Sequence, residues 1–359
     1  MVDPDGGTVY VHSIKTVPFF DRGVKILAQN ENGPCPLLAL CNVLLLRGSI
    51  EIPSRFVDTI TSEHLVSLVA NHLMESNPPI ENDAAAAANQ AQTISDIISI
   101  LPKLQRGMDV NVKFSGISHF EFNDYVSIFD MLDVNLFHGW LVDPQAADTA
   151  PVVGKLSYNQ LVEKVIGGGG SGDNGNRDAT RTVIEAEVCR AFLEETKSQL
   201  TYHGLMELHE KVRERQLCVF FRNNHFSTMF KLEGSIYLLL TDLGYVKRNQ
   251  CAWESLGDID GNTEILSPSF GDPNEYCKFQ IGSGEDDDVD RMLALQLQRE
   301  EERGDAHKGI MAGQVVGESS LSPQERYAAE TARYNAQRSE YERLQREAKK
   351  SKESSCTIS

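Results

Sequence analysis

Residues 29–38 read QNENGPCPLL, and they set one cysteine, Cys35, between two prolines and ahead of a long apolar run. Polar turn-forming residues followed by an apolar run predict a turn that leads into a buried helix, which ends near Gly48. Pro36 suits the first turn of that helix, where the N–H group that proline lacks would have no partner. Free N–H groups and the positive end of the helix dipole lower the pKa of a nearby thiol, which favours the nucleophilic thiolate. Cys35 is therefore either a nucleophile or a small buried hydrophobic residue.

A cysteine nucleophile needs a base, which is usually histidine, and it needs donors for the oxyanion. Gln29 lies six residues before Cys35, a spacing that fits the glutamine whose amide donates to the oxyanion in papain-like cysteine proteases. Among the nine histidines, His225 follows two asparagines and opens a predicted strand in CVFFRNNHFSTMF, residues 218–230. Its ring should therefore lie at the end of a sheet and face a cleft. Cys41 has no such surroundings, and we expect it in the core.

The strand after His225 should carry the residue that orients its imidazole ring. A three-residue loop at 232–234 would put Thr241 opposite His225, whereas a two-residue loop would put Asp242 there. Glu233 fits poorly at a positive φ angle, so we expect the three-residue loop, with Thr241 as the partner and Asp242 as the alternative. Otherwise both residues simply end the strand.

The remaining elements mix helices and strands without a regular βαβ repeat, which predicts an α+β domain. A Gly-rich stretch, VIGGGGSGDNGNRDAT at residues 165–180, predicts a flexible surface loop. Pro102 should stop the helix that precedes it. We expect strands at 8–14, 23–29, 108–116 and 216–221 and a hairpin within 226–242, and helices at 35–48, 61–74, 84–101 and 180–202.

Composition and charge exclude several classes of protein. The formal net charge of −18 argues against nucleic acid as the main partner, because phosphate binding needs clustered lysine and arginine. The seven cysteines are scattered without a CxxC pair, so we expect no disulfide framework, no metal site and no cofactor. No apolar run is long enough to span a membrane, and the first residues lack the pattern of a signal peptide. We therefore expect a cytoplasmic protein.

Several blocks of this sequence resemble the MINDY deubiquitinases, which are cysteine peptidases that cut polyubiquitin. The blocks are QNENGPCPLLAL at 29–40, HGWLVDPQ at 138–145, VFFRNNHFSTMFK at 219–231, YLLLTDLGY at 237–245 and WESLGDIDG at 253–261. The resemblance covers roughly residues 8–282, and on it we assign residues 1–282 to a papain-like catalytic domain.

The resemblance also implies roles for single residues and a substrate. It implies Cys35 as the nucleophile, His225 as the base and Gln29 in the oxyanion hole. It further implies a preference for lysine-48-linked ubiquitin chains, often long ones, that are trimmed from the distal end. The Gly-rich loop at 167–176 matches no part of the family pattern and receives no role.

Residues 285–303, EDDDVDRMLALQLQREEER, predict a charged amphipathic helix. Val289, Leu293 and Leu297 fall on one face, Ala294 leaves a notch between them, and acidic residues crowd both ends. This segment is similar to the motif-interacting-with-ubiquitin helix of the MINDY family. That similarity implies that Leu293, Ala294 and Leu297 bind an apolar patch on ubiquitin, while the acidic residues meet its basic rim. The alternative is a solvated amphipathic helix.

Residues 304–359 predict a linker, a polar helix and a partly disordered C-terminal tail. The chain ends Cys356-Thr357-Ile358-Ser359, which fits the C-a-a-X signal of the farnesyl type, with lysines just upstream. The tail therefore carries either a prenylation site that supports peripheral membrane association or a chance cysteine.

Two functions of different class follow from the sequence. The first is a ubiquitin-specific cysteine isopeptidase that acts on polyubiquitin and ubiquitinated proteins. The second is a catalytically weak scaffold that holds ubiquitin chains. The presence of Cys35, His225 and Gln29 favours the enzyme, because a pseudoenzyme would usually have lost one of them. A third possibility is a peptidase for another ubiquitin-like modifier.

Overall fold

The computed structural model describes residues 10–29, 35–167, 177–259, 261 and 263–280, and it describes the backbone alone at residues 35, 177–179 and 277–280. The strands of this part of the chain are β1 Val11–Phe19, β2 Arg22–Ala28, β3 Thr59–Thr61, β4 Leu136–His138, β5 Leu217–Arg222, β6 His225–Leu232, β7 Ser235–Leu239, β8 Trp253–Ser255 and β9 Ile265–Leu266. The helices are α1 Cys35–Arg47, α2 Ser62–Ser76, α3 Ala84–Ile100, α4 Asp124–Met131, α5 Ala150–Val153, α6 Tyr158–Gly167, α7 Arg177–Glu195, α8 Tyr202–Lys211 and α9 Pro273–Gln280, with 3-10 helices at Leu101–Arg106 and Leu243–Tyr245.

Helix α1 lies at the centre of the core, as its apolar sequence predicted. Every residue from Leu37 to Leu46 is buried, which is typical of a helix that is covered on all sides. The helix packs against β2 on one side and against β5 and β6 on another. Cys41 is fully buried, and burial raises the pKa of its thiol, so the assignment of Cys41 to the core is confirmed.

The strands described here form two sheets. The smaller sheet has the order β2-β1-β3, and both of its pairings are antiparallel. The larger sheet has the order β4-β5-β6-β7-β8-β9, and its pairings are antiparallel except for the parallel pair β4–β5. The buried side chains form two clusters, a larger one that includes α1 and strands of both sheets and a smaller one that includes α8 and side chains of β4 to β7. Helices and mostly antiparallel strands therefore pack together, in agreement with the mixed fold class that the sequence predicted.

The β6–β7 hairpin has a two-residue loop, so the predicted three-residue loop is wrong. Leu232 pairs with Ser235, and both loop residues, Glu233 and Gly234, have positive φ angles of 51° and 78°. The carboxylate of Glu214 accepts hydrogen bonds from the backbone N–H groups of Glu233, at 2.5 Å, and of Gly234, at 3.2 Å. These bonds offset the cost of a left-handed glutamate, which local turn preferences alone would exclude.

Two further predictions of secondary structure need correction. Residues 108–116 contribute only the isolated bridges Val112–Phe120 and Lys113–Ser157 among the described residues, so the predicted strand is wrong. The helix predicted at 180–202 ends at Glu195, and α8 starts separately because the Thr201 side chain accepts a hydrogen bond from the Gly204 N–H at 3.1 Å. The helices predicted at 35–48, 61–74 and 84–101 are confirmed as α1, α2 and α3.

Several predictions fall outside the described residues. They are the central part of the predicted Gly-rich loop, residues 168–176, the predicted helix at 285–303 with Leu293, Ala294 and Leu297, and the C-terminal tail with Cys356. At both ends the loop predicted at 165–180 is wrong, because residues 165–167 belong to α6 and residues 177–180 to α7. Within the described part of the chain, no helix combines the length and the apolar character that a membrane span requires.

Candidate active site

A cleft of about 930 Å³ lies on one face of the larger sheet. Strand register decides which side chains share this face, because residues that are directly paired point to the same side. Arg222 is paired with His225, and Leu238 is paired with Glu254, so all four project from the cleft face. The opposite face packs on α1, where the Thr228 hydroxyl donates to the Ala39 carbonyl at 3.0 Å.

Gln29, His225, Thr241 and Asp242 all line this cleft, although they come from distant parts of the sequence. Gln29 follows β2, and its backbone N–H donates to the Thr241 carbonyl at 2.7 Å. A parallel bridge also pairs Gln29 with Asp242. The chain after β7 therefore runs beside the end of β2, and the two segments form one wall.

His225 is the first residue of β6, and its ring is half-buried at the rim of the cleft. The turn before it, Asn223-Asn224, has positive φ angles at both residues, which asparagine tolerates better than most side chains. The Gln199 side chain accepts a hydrogen bond from the Asn223 N–H at 3.0 Å and so ties this turn to the chain after α7. Burial lowers the pKa of His225 below its usual value, which favours the neutral imidazole that can accept a proton.

Arg222, which pairs with His225, is anchored by backbone carbonyl groups. Its Nε donates to the Ser198 carbonyl at 2.7 Å, and a terminal nitrogen donates to the Ile259 carbonyl at 2.8 Å. Glu254 lies further along the same face, and burial raises the pKa of its carboxyl group, while a hydrogen bond from Thr263 and the charge of Arg222 oppose that rise. The cleft thus combines one anchored cation with a half-buried acid.

Thr241 and Asp242 lie beyond the end of β7, and neither is paired with His225. Strand β7 ends at Leu239, so neither residue is paired with His225 across the hairpin. The Asp242 carboxylate accepts a hydrogen bond from the Gly244 N–H at 2.7 Å and caps the 3-10 helix at Leu243–Tyr245. No side-chain hydrogen bond joins His225 to either residue in the region that the structure describes. The two-residue loop also removes the register argument that favoured Thr241.

Cys35 is the first residue of α1, as its proline frame predicted, and its side chain lies outside what the structure describes. Ala39, which accepts the hydrogen bond from Thr228, lies four residues further along, or about 6 Å along the helix axis. Thr228 in turn lies three residues beyond His225 in β6. Arg47, at the other end of α1, donates to the Leu217 carbonyl at 2.8 Å, and Leu217 is paired with Phe230 near the opposite end of β6. The N-terminus of α1 therefore lies toward the end of the sheet that carries His225.

Sequence reasoning missed two polar side chains that hold these elements together. Asn42 is fully buried in α1 and exchanges two hydrogen bonds with the backbone of Leu27 in β2, at 2.8 and 3.0 Å. Lys15 is buried in β1 and donates to carbonyl groups that lie far away in the sequence. Asn42 was visible as a single polar residue in an apolar run, which is a signal that it has a buried partner. Lys15 follows His12 and Ser13 and precedes Thr16, so no such signal marks it.

Comparison with known proteins identifies a family for most of the chain. The family model of the MINDY deubiquitinase matches residues 10–270. Ubiquitin carboxyl-terminal hydrolase MINDY-2 of Mus musculus is 43% identical over 297 residues, which cover 81% of this chain and 48% of that protein. Ubiquitin carboxyl-terminal hydrolase MINDY-1 of Homo sapiens is 41% identical over 306 residues, which cover 82% of this chain and 62% of that protein. The chain spans about half the length of the MINDY-2 relatives that it matches.

Proposed function

The chain belongs to the MINDY deubiquitinase family, and we propose that it is a cysteine-type deubiquitinase that hydrolyses isopeptide bonds in polyubiquitin. The observation that carries this proposal is the meeting of Gln29 and His225 in one cleft, at the end of the sheet where α1 begins with Cys35. The preference for lysine-48-linked chains is part of the proposal and rests on the sequence resemblance alone.

The proposed reaction starts with neutral His225, which takes the proton from the Cys35 thiol. The thiolate attacks the isopeptide carbonyl, and the side-chain amide of Gln29 and the backbone N–H of Cys35 hold the oxyanion. The intermediate collapses as His225 returns the proton to the leaving lysine amine, which leaves an acyl-enzyme on Cys35. Water, deprotonated by His225, then hydrolyses the thioester and frees the thiol. Half-burial of His225 supports this scheme because it keeps the ring neutral near pH 7.

We propose that Thr241 or Asp242 orients the His225 ring during this reaction. Both residues line the cleft, and one oxygen of the Asp242 carboxylate already caps the Gly244 N–H. Thr241→Val and Asp242→Asn, measured side by side, separate the two candidates. The variant that lowers kcat while the protein stays fully folded identifies the orienting residue, and unchanged kcat in both refutes this part of the proposal.

The residues beyond the catalytic domain extend the proposal. We propose that Leu293, Ala294 and Leu297 bind ubiquitin through the notched face of the helix that the sequence predicts at 285–303, as the family resemblance implies. We also propose a cytoplasmic location, with prenylation at Cys356 as the route to peripheral membrane association. Metabolic labelling with an isoprenoid analogue tests the last point, because Cys356→Ser should lose any label.

The decisive experiment is the cleavage of tetraubiquitins of defined linkage by the wild type and by Cys35→Ala. Cys356→Ala is the matched control, since it makes the same substitution at a cysteine outside the proposed site. We expect Cys35→Ala to bind chains without cutting them and Cys356→Ala to cut like the wild type. Full cleavage by Cys35→Ala would refute the mechanism.

A chain-binding scaffold with weak activity is the second candidate function. It is favoured by one observation, that no side-chain hydrogen bond orients His225 among the residues described. An electrophilic ubiquitin probe separates the two candidates, because an active enzyme forms an adduct at Cys35. Chain binding without an adduct would support the scaffold, and reaction with probes of another modifier instead would indicate a different substrate.

A further inference from the structure

The ammonium group of Lys15 is held by the backbone of a distant loop. Lys15 lies in β1 and is only 4% exposed. Its Nζ donates to the carbonyl oxygens of Tyr245 at 2.8 Å, Arg248 at 2.9 Å and Cys251 at 2.5 Å. A lysine ammonium has three protons to donate, and here each proton has one acceptor.

The loop is built so that these three carbonyls converge. Successive tight turns join the Tyr245 N–H to Asp242, the Arg248 N–H to Tyr245 and the Cys251 N–H to Arg248, at 3.0, 3.1 and 3.1 Å. Residues spaced by three in such turns point their carbonyls to the same side. The partly negative carbonyl oxygens of residues 245, 248 and 251 therefore point toward one position, and the Lys15 ammonium binds there as a metal cation would.

A charge in this position is costly unless the loop stays in place. Burial lowers the pKa of Lys15 to about 8, while the nearby Cys251 thiol opposes that shift. The three carbonyl oxygens replace the water that the ammonium has lost. If the loop moved away, Lys15 would be left buried without acceptors, so the charge favours one loop conformation over the others.

The same loop leaves the cleft wall directly. It begins at Thr241 and Asp242, which line the cleft beside Gln29. Lys15 pairs with Ile26 across the β1–β2 hairpin, and β2 leads to Gln29, whose N–H holds the Thr241 carbonyl at 2.7 Å. The smaller sheet and the residue that follows it therefore hold the segment 241–251 at two places. The Gln29 N–H binds the first residue of the segment, and the Lys15 ammonium binds carbonyl groups at 245, 248 and 251.

We propose that Lys15 is a positioning residue for the active-site cleft, which fixes the loop 242–251 so that Thr241 and Asp242 stay beside Gln29 and His225. This inference rests on the proposed function for its effect on hydrolysis. Lys15 lies outside the cleft lining, so it acts through the loop and does not touch the substrate.

Lys25 supplies a matched control within the same hairpin. Its ammonium also donates to loop carbonyls, those of Phe56 at 2.8 Å and Pro53 at 3.5 Å. That loop does not contribute to the cleft lining. Lys25→Met therefore removes the same kind of contact from the same small sheet without touching the segment 241–251.

The experiment compares Lys15→Met, Lys15→Arg and Lys25→Met with the wild type in the full chain. Backbone hydrogen exchange measures the loop, and steady-state hydrolysis of lysine-48-linked tetraubiquitin gives kcat and KM separately. In Lys15→Met we expect at least tenfold faster exchange within 242–251 and at least a tenfold lower kcat, with KM changed less than about twofold. Lys15→Arg should restore part of both losses, and Lys25→Met should leave both within about twofold of the wild type.

The two readouts keep the outcomes distinct. Unchanged exchange within 242–251 in folded Lys15→Met overturns the proposal, and so does faster exchange with unchanged kcat. Equal losses in Lys15→Met and Lys25→Met also overturn it, because the effect would then be general destabilisation. If Lys15→Met does not fold, Lys15→Gln carries the same expectations. A wild type that cuts no ubiquitin chain refutes the proposed function, and the exchange measurement then still decides whether Lys15 fixes the loop.

Discussion

Replacing Asn42 by leucine should lower the free energy of unfolding, because the Asn42 side chain joins helix α1 to strand β2. The Asn42 side chain accepts a hydrogen bond from the Leu27 N–H at 2.8 Å and donates to the Leu27 carbonyl at 3.0 Å. Both residues have an exposed fraction of 0%. Leucine has nearly the same branched shape, so Asn42→Leu removes the two hydrogen bonds and leaves no large cavity.

The magnitude follows from the two backbone groups that lose their partner. A buried N–H or carbonyl group without a partner costs about 1–3 kcal/mol, so the two groups together cost about 4 kcal/mol. Burial of the apolar leucine side chain offsets about 2 kcal/mol of this loss. The expected fall in the free energy of unfolding is therefore about 2 kcal/mol. With a denaturant slope of about 2 kcal/mol per molar urea, the unfolding midpoint should fall by about 1 M.

Urea unfolding followed by tryptophan fluorescence measures this shift, since both tryptophans, Trp140 and Trp253, are buried. The control is Asn89→Leu, which makes the same substitution at an exposed position of helix α3. It should change the free energy of unfolding by no more than about 0.5 kcal/mol. An Asn42→Leu midpoint that falls no further than that of Asn89→Leu would refute the reasoning, because the buried amide would then contribute nothing that an exposed one does not.

Three further predictions concern the proposed base, the hairpin and the tail. Burial lowers the pKa of His225 below 6.5, so the acid limb of a kcat/KM pH–rate profile should lie below pH 6.5. An acid limb at or above pH 6.5 would contradict the proposal that neutral His225 is the base. Glu233→Asn places a residue that tolerates positive φ in the two-residue turn and should raise the free energy of unfolding by about 0.5–1 kcal/mol. A urea midpoint below that of the wild type would count against this prediction. Deletion of residues 285–303 should slow the cleavage of tetraubiquitin more than that of diubiquitin, and equal slowing of both would argue against a chain-binding helix.

Local features of the sequence predicted the elements that form the candidate site. The apolar run after Cys35 is long enough for a helix and has no polar face, so α1 had to be buried, and it is. The sequence after the two asparagines predicted a strand that opens at His225, and β6 begins at that residue. These predictions succeeded because caps, turns and periodicity depend on residues only a few positions apart.

The hairpin register shows where local reasoning ends. Glu233 disfavours the two-residue loop by itself, yet Glu214, which lies 19 residues earlier, accepts the hydrogen bonds that stabilise it. A shift of the β6–β7 register by one residue changes which side chain could face His225. The energy difference between the two loop lengths is small enough for one distant carboxylate to reverse the preference. The strand then ends before either candidate partner is reached.

The sequence by itself determined the central helix that begins at Cys35, the strand that begins at His225 and the family to which the chain belongs. Only the tertiary structure decided how these parts are held against one another. The Lys15 ammonium reaches carbonyl groups 230 or more residues away, and Asn42 joins a helix to a strand through a backbone that carries no sequence signal. Both contacts use main-chain groups, which every residue has, so no side-chain pattern could reveal the partner before the chain had folded.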